Sequence, residues 1–514
     1  MGKVNLDAII PREDFEVEDN QSPGKKKESI SIEDIKSDSF FFINVRKPDF
    51  QRETNEWDEK KVSQFVKSFI EGDLIPAIIL WRSSAGFLFV IDGSHRLSSL
   101  SAWVNNDYGD GKITKMFYDG VIPDEQIEIA QKTRKLIEES IGSYEDYKLA
   151  LTHPEKVKPD IVSNAKNLGA LAIQLQWVEG DSSKAENSFF KINQQAAPID
   201  STELKLLKTR KKPNSIAARA IIRSGKGHKY WSSFPKPKQE EIQNIASQIN
   251  DILFIPKLNK PIKTLDLPIG GKKYSAQTLP LILDLINFSN KIDPKVELDN
   301  DENGEKTLLY LKETLKVVRL LNSNHPSSLG LHPVIYFYSK DGRHKIALFY
   351  GVISFILMLK DKKKFNAFIE VRSDFEKFIF NNDYLIQQIN RKYRSALNSA
   401  SYIANFLFSL MNILKTDKID NSIINKLRSD GFDYLTIETL EPELTSNSGF
   451  NTNRKSAVFI KDTLESAPRC KICNGLIHVN SISIDHKERK EDGGKGTVDN
   501  GQITHPYCNT GYKN

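Results

Sequence analysis

The stretch that decides the fold of the C-terminal end begins Cys470-Lys471-Ile472-Cys473. It continues through Ile484-Asp485-His486, Gly493-Gly494 and Asn500-Gly501-Gln502, and closes on His505-Pro506-Tyr507-Cys508-Asn509. All three cysteines of the chain lie in it. A C-x2-C pair followed by H-x2-C supplies four ligands for one tetrahedral zinc ion, the arrangement of a closed structural site. Cys470, Cys473, His505 and Cys508 are therefore expected to hold Zn²⁺. The 31 residues between the two pairs leave room for a β-hairpin between two ligand-bearing turns. Zinc can fold a segment this short, which lacks a core of its own. Residues 476–484 alternate enough to form the first strand, which delivers Asp485-His486 at its end. Residues 492–496 are a loop, and Asn500 leads toward a short C-terminal helix.

Outward from the finger, length and composition set bounds. At 514 residues the chain is too long for one ordinary core, so two or three domains are expected. Hydrophobic content of 39% with 10% aromatics suffices to fold and is too low for a membrane protein. The longest apolar run, residues 346–359, falls short of the roughly 20 residues a bilayer needs and reads as a buried helix. Three cysteines at metal-ligand spacing favour a reducing compartment over a disulfide framework. With no signal peptide or myristoylation pattern at the start, a cytoplasmic protein is expected.

Net charge is only +6, but its distribution is uneven. Residues 205–238 carry eleven basic side chains and no acidic one, with Tyr230, Trp231 and Phe234 nearby. Lys208, Arg210, Lys211 and Lys212 open that run and are candidate DNA phosphate contacts, because such a surface needs uncompensated positive charge. A solvated face is the commoner fate of a charge run.

Residues 1–30 are polar, with an acidic cluster at 13–19, and read as a flexible tail. Ser31 is a candidate N-cap ahead of Ile32 and Ile35. Asp58 can cap a helix whose Val62, Phe65, Val66, Phe69 and Ile70 share one face, ended by Gly72. Residues 75–81 and 87–91 read as buried strands. The second runs into Asp92-Gly93-Ser94-His95-Arg96, which opens another helix. A strand, a glycine turn and a helix start carrying Arg form an anion site, since backbone N–H groups and the positive helix end point at the ligand. Residues 215–445 are mostly helical, with periodic segments at 242–255, 278–292, 307–321, 344–359, 365–380 and 395–414. Lone His332 and His344 and the cluster 391–394 are more often structural than functional. Residues 415–450 read as loop, with a linker near 445–452.

Two resemblances turn these patterns into functional expectations. Pro48-Asp49-Phe50-Gln51-Arg52 with Trp57 beyond, the turn at 92–96, and Phe189-Phe190-Lys191-Ile192-Asn193 resemble, in order, the ParB/sulfiredoxin-like N-terminal domain of GmrSD-type restriction proteins. In those relatives the turn binds and hydrolyses a nucleoside triphosphate. The resemblance implicates Gln51, Arg52, Asp92, Gly93, Ser94, His95, Arg96 and Asn193. Ser94-His95 departs from the two glutamines of many relatives, so phosphate binding is implied more securely than hydrolysis. The C-terminal pattern resembles the HNH endonuclease finger. That resemblance makes His486 the general base, Asp485 and Asn509 the ligands of one Mg²⁺ or Mn²⁺ ion, and Asn500 the residue that holds the loop and orients His486. The finger departs from the commonest pattern at His505, where cysteine is more usual, and at Asn509, where many relatives have histidine.

The expected fold class is thus α+β, in four parts. A tail (1–30) precedes a ParB/GmrS-like nucleotide-binding domain (31–214), a helical domain (215–445) and a ββα-metal, treble-clef HNH domain (446–514). The expected function is a nucleotide-regulated, metal-dependent DNA endonuclease in antiphage defence, cutting foreign or modified DNA. Implied partners are phage DNA, a nucleotide, and a second copy or other defence-system proteins. The rival expectation is a DNA-binding regulator whose finger does not cut.

Overall fold

The computed structural model describes residues 2–13, 25–48, 51, 54–118, 120, 122, 124–196, 209–227, 229–273, 277–293, 296–437 and 450–513, with the side chains of 193–196 excepted. It divides into two compact units, residues 1–210 with 226–230, and residues 211–225 with 231–514. None of the described helices is long and apolar enough to cross a membrane.

The first unit is built on a six-stranded mixed sheet. Its strands are β1 (Arg12–Glu13), β2 (Ser29–Ser31), β3 (Val45–Pro48), β4 (Ile78–Arg82), β5 (Leu88–Asp92) and β6 (Ala172–Val178), in the order β1-β3-β5-β4-β6-β2. Strands β4 and β5 are antiparallel neighbours, while β3 lies parallel to β5 and β6 parallel to β4. Period-two alternation splits their side chains between two cores. Leu80, Leu88 and Val90 join a large cluster with helices α1 (Glu59–Glu71) and α2 (Ser94–Val104). Trp81, Phe89 and Ile91 face the other way, against Ala185 and Phe189 of the helix Ser182–Ala196. Asp58 caps α1 by accepting from the Lys61 N–H, and Gly72 ends it in the left-handed conformation, as the sequence predicts.

The N-terminal segment is a correction. Val4, Leu6, Ala8, Ile9 and Ile10 are buried, and β1 pairs with β3. Asp7 lies fully buried, with Arg12 Nη2 at 2.7 Å and Lys47 Nζ at 2.8 Å from its Oδ1. A short apolar stripe was outweighed in the sequence by the acidic cluster after it, most of which lies outside the described residues.

The second unit is helical, with the C-terminal finger in the same compact body. Helices Lys236–Phe254, Thr278–Ser289, Glu305–Leu321, Ile346–Asp361, Phe365–Asn381 and Ala396–Ile413 stand where periodicity places them. The apolar run at 346–359 is a buried helix. The helix Asp420–Ser429 stands where loop is expected, and the helix Thr452–Leu464, which Asn451 caps, is one for which the sequence gives no expectation. Both are short, with narrow apolar faces. His332 is buried and caps Pro333–Tyr336, His344 Nε2 meets the Ile269 carbonyl at 3.0 Å, and Tyr393 stacks on Tyr402, so these residues are structural.

Candidate metal centre and nuclease site

The sulfur atoms of Cys470, Cys473 and Cys508 and a ring nitrogen of His505 lie within 4.8 Å of one another, all buried. His505 Nε2 lies 2.9 Å from the Leu476 carbonyl, while Nδ1 is 3.4 Å from Cys473 Sγ and 3.8 Å from Cys508 Sγ. Donation from Nε2 fixes the tautomer in which Nδ1 offers a lone pair to the cluster. Burial, reinforced by Arg372, lowers the His505 pKa and keeps the imidazole neutral, as a ligand must be.

The thiols cannot settle this arrangement by themselves. Hydrogen bonds from Cys473 and Cys508 push the Cys470 pKa down, and the same sharing pushes the Cys473 thiol up to about 11 and Cys508 well above its usual range. Three sulfurs gathered away from water can all be thiolates only with a cation among them. The donor set, borderline-soft and tetrahedral in number, fits zinc.

The finger's hairpin is short: β7 (Ser483–His486) and β8 (Gly501–Thr504) pair antiparallel, Asp485 opposite Gln502 and His486 opposite Gly501. The predicted strand over 476–484 is mostly not strand, because those residues bond outward to the helical region. Leu476 N–H donates to Glu376 Oε2 (2.9 Å) and Val479 N–H to Asp266 Oδ1 (3.0 Å). His478 Nδ1 meets Asn322 Oδ1 at 3.1 Å, and Ser481 meets Ser328 at 3.0 Å. After β8, Tyr507 N–H donates to the Ser328 carbonyl (2.9 Å) and Thr510 Oγ1 to the Pro326 carbonyl (2.8 Å). The final helix is one wide turn, Cys508–Tyr512.

Asp485 is 5% exposed, and its Oδ2 accepts from Gln502 Nε2 (2.8 Å) and Lys513 Nζ (2.7 Å). Lys513 Nζ also donates to the His486 carbonyl (2.6 Å). The sequence pattern gives no role to Gln502 or Lys513. The cross-strand register opposite Asp485 would have signalled Gln502, whereas nothing in the sequence singles out Lys513. Asn509 Nδ2 donates to Ser483 Oγ (2.8 Å) and to the Ile484 carbonyl (3.3 Å). Residues two apart on a strand share a face, so the Asn509 amide meets the face of β7 that carries Asp485. Asn500 Nδ2 donates to the Glu488 and Lys495 carbonyls (3.1 and 2.9 Å) and its Oδ1 accepts from Glu488 N–H (2.8 Å). These bonds close the loop before β8; Asn500 also accepts at its carbonyl from the N–H of Lys487, next to His486.

In the first unit, Asp92, Gly93, Ser94, His95 and Arg96 form the turn from β5 into α2. Gly93 has φ +100°, and a Cβ there would stand 3.0 Å from Ile78 Cγ1, so glycine is required. Arg96 Nη2 donates to Asp92 Oδ2 (2.7 Å) and to the Ala77 carbonyl (3.0 Å). Gln51 is buried, and its Nε2 donates to Ser94 Oγ (3.1 Å). His95 stacks on Trp57, with ring centroids 5.6 Å apart. Arg52 and the side chain of Asn193 lie outside the described residues.

The basic stretch is partly paired. Arg210 Nη1 pairs with Glu186 Oε1 at 2.8 Å, and Lys212 Nζ with Glu297 Oε1 at 3.7 Å. Trp231 and Phe234 are core residues rather than stacking platforms, and Arg219 is buried. Lys208 lies outside the described residues, and Lys211 also has interactions of its own. At Arg210 and Lys212, charge uncompensated along the chain meets acids distant in sequence.

Residues 470–514 match the HNH endonuclease family, which defines the class: a nuclease, and so a hydrolase acting on nucleic acid. Residues 32–210 match the family described as GmrSD restriction endonuclease, N-terminal domain. The chain therefore has a GmrSD-like architecture, an N-terminal domain of that type followed by a C-terminal HNH domain. No curated protein and no solved structure matches it.

Proposed function

We propose that the protein is a metal-dependent DNA endonuclease of antiphage restriction, whose finger cuts and whose N-terminal turn binds a nucleoside triphosphate. The observation that carries this reading is a strand, β7, that ends on Asp485 and His486, with the Asn509 amide bonded to Ser483 on the Asp485 side, in the same segment as a Cys₃His cluster and within the residues that match HNH endonucleases.

Cys470, Cys473, His505 and Cys508 hold a structural zinc ion that fixes the two ends of the hairpin. Asp485 and Asn509 would hold a hard divalent ion, which when bound would offer positive charge to the scissile phosphate and the leaving oxygen. His486 takes the proton from the attacking water, work suited to a group whose ordinary pKa lies near neutrality. Asn500 keeps the 488–495 loop closed so that His486 is presented at the strand end. Gln502 steadies the Asp485 carboxylate through the hydrogen bond between the strands.

At the N-terminal turn, Gly93 lets the backbone approach a phosphate, and the N–H groups opening α2 receive it. Arg96 exchanges part of its pairing with Asp92 for the ligand, while Gln51 and Ser94 line the approach. Nucleotide binding licenses or restrains cleavage. The test is cleavage of modified and unmodified phage DNA with Mg²⁺ or Mn²⁺, each nucleotide present or absent. Metal-dependent products from the wild type supports the reading, and cleavage undiminished in His486→Ala would overturn the assigned base.

A further inference from the structure

A zinc ion held by three thiolates and a neutral imidazole carries one net negative charge. In a dry interior such a charge is costly unless a cation stands beside it. Arg372, on the helix Phe365–Asn381, is that cation. Its side chain is fully buried, and Nη1 lies 3.2 Å from His505 Nδ1. Nη1 donates to the Leu329 carbonyl, Nη2 to the Gly330 carbonyl (2.7 Å) and Nε to Glu376 Oε1 (2.8 Å). An arginine guanidinium keeps its proton in proteins, so the buried charge persists.

Glu376 does not spend this charge alone. Its Oε1 also accepts from Tyr336 (3.2 Å) and its Oε2 from the Leu476 N–H just past the C-x2-C turn. Two glycines make the approach possible. A Cβ at Gly475 would stand 2.5 Å from Arg372 Nε, and one at Gly330, where φ is +60°, would stand 2.4 Å from His505 Cδ2.

We infer that Arg372, contributed by the helical region, is the built-in counter-cation of the Cys₃His cluster. Metal retention in the finger then depends on the helix Phe365–Asn381 as well as on the four ligands. This rests on the zinc reading of the cluster. It also explains why finger and helices form one compact unit: the finger's charge is balanced from outside its own sequence.

The test uses the full chain. Zinc content of the wild type is measured by elemental analysis, and zinc release to a chelator is then timed in Arg372→Met, Arg372→Lys and Glu376→Gln. The visible spectrum of each Co²⁺-substituted protein is recorded alongside. Arg372→Met is expected to release zinc about tenfold to a hundredfold faster, the usual effect of losing an outer-shell partner, and to shift the thiolate-to-cobalt band. Arg372→Lys keeps the charge and restores most of the retention. Glu376→Gln leaves the cation in place and releases zinc no faster than wild type. Release from Arg372→Met at the wild-type rate with an unchanged spectrum overturns the inference. So does release from Glu376→Gln as fast as from Arg372→Met, which would make packing the cause. Should Arg372→Met fail to fold, Arg372→Gln, which lacks the charge but can still donate to the carbonyls, decides: faster release than wild type supports the inference, and release at the wild-type rate with an unchanged spectrum overturns it. A wild type without zinc would remove the zinc reading itself, a result distinct from zinc present and Arg372 irrelevant.

Discussion

The Cys₃His cluster and the turn at 92–96 are both built to receive charge, yet they rest differently. Arg96 already has an internal partner in Asp92 at 2.7 Å, so the turn is satisfied without a ligand. The three sulfurs have no such resolution, since gathering them raises the Cys473 and Cys508 thiols instead of ionising all three. A mixed-charge site can therefore be stable while waiting for its ligand, whereas a like-charged one depends on its ligand for its shape. This separates a regulatory site, which must be occupied reversibly, from a structural one, which must stay filled.

The sharpest way to break the comparison is to remove the metal. Cys473→Ser, or exhaustive chelation, is expected to unfold the finger at a cost of several kcal/mol, because binding free energy here is folding free energy. Proteolysis should then open near residues 466–482, while the first unit stays resistant. Equal resistance with and without metal would mean that the finger's contacts to Asp266, Glu376 and Ser328 suffice.

Next in size is the catalytic base. His486→Ala should lower cleavage about a hundredfold to ten-thousandfold, the range for losing a general base, with zinc content unchanged. The turn gives a smaller effect. Arg96→Ala removes a cation the fold already partners, so the first unit should keep its melting temperature within a few degrees while triphosphate affinity falls about tenfold. Unchanged affinity by calorimetry would take the nucleotide away from this turn.

A separate effect is on pH dependence. His332 and His478 are buried, packed edge-on with centroids 5.4 Å apart. Burial pushes both below the ordinary histidine range, His478 to about 4. Both are neutral when folded and take up a proton on unfolding below about pH 6.5. Their contribution is therefore complete above that pH and is lost as pH falls toward 4. For His478 this amounts to about 2 kcal/mol at pH 5. Denaturant melts of the second unit should weaken between pH 7 and pH 5, and less steeply in His478→Gln.

What the sequence made legible was whatever is local. Ligand spacing at 470–473 and 505–508, the Asp58 cap, the Gly93 turn and the long apolar helices each follow from neighbours along the chain. What it hid depends on partners far away in sequence. Asp7 joins Lys47 through the fold, Arg210 finds Glu186, Glu376 receives the Leu476 N–H, and Lys513 reaches back to Asp485. The same limit explains the strand expected at 476–484: its alternation is real, but most of its bonds go to loops and a helix far away in sequence, at Asp266, Asn322, Ser328 and Glu376.

The most direct measurement is DNA cleavage by the purified full chain, wild type against His486→Ala, with zinc content matched and Mg²⁺ or Mn²⁺ added or withheld. The account predicts cleavage by the wild type only when the divalent ion is present, and at least about a hundredfold less from His486→Ala. Equal cleavage by both proteins, or wild-type cleavage that ignores the added ion, would contradict it.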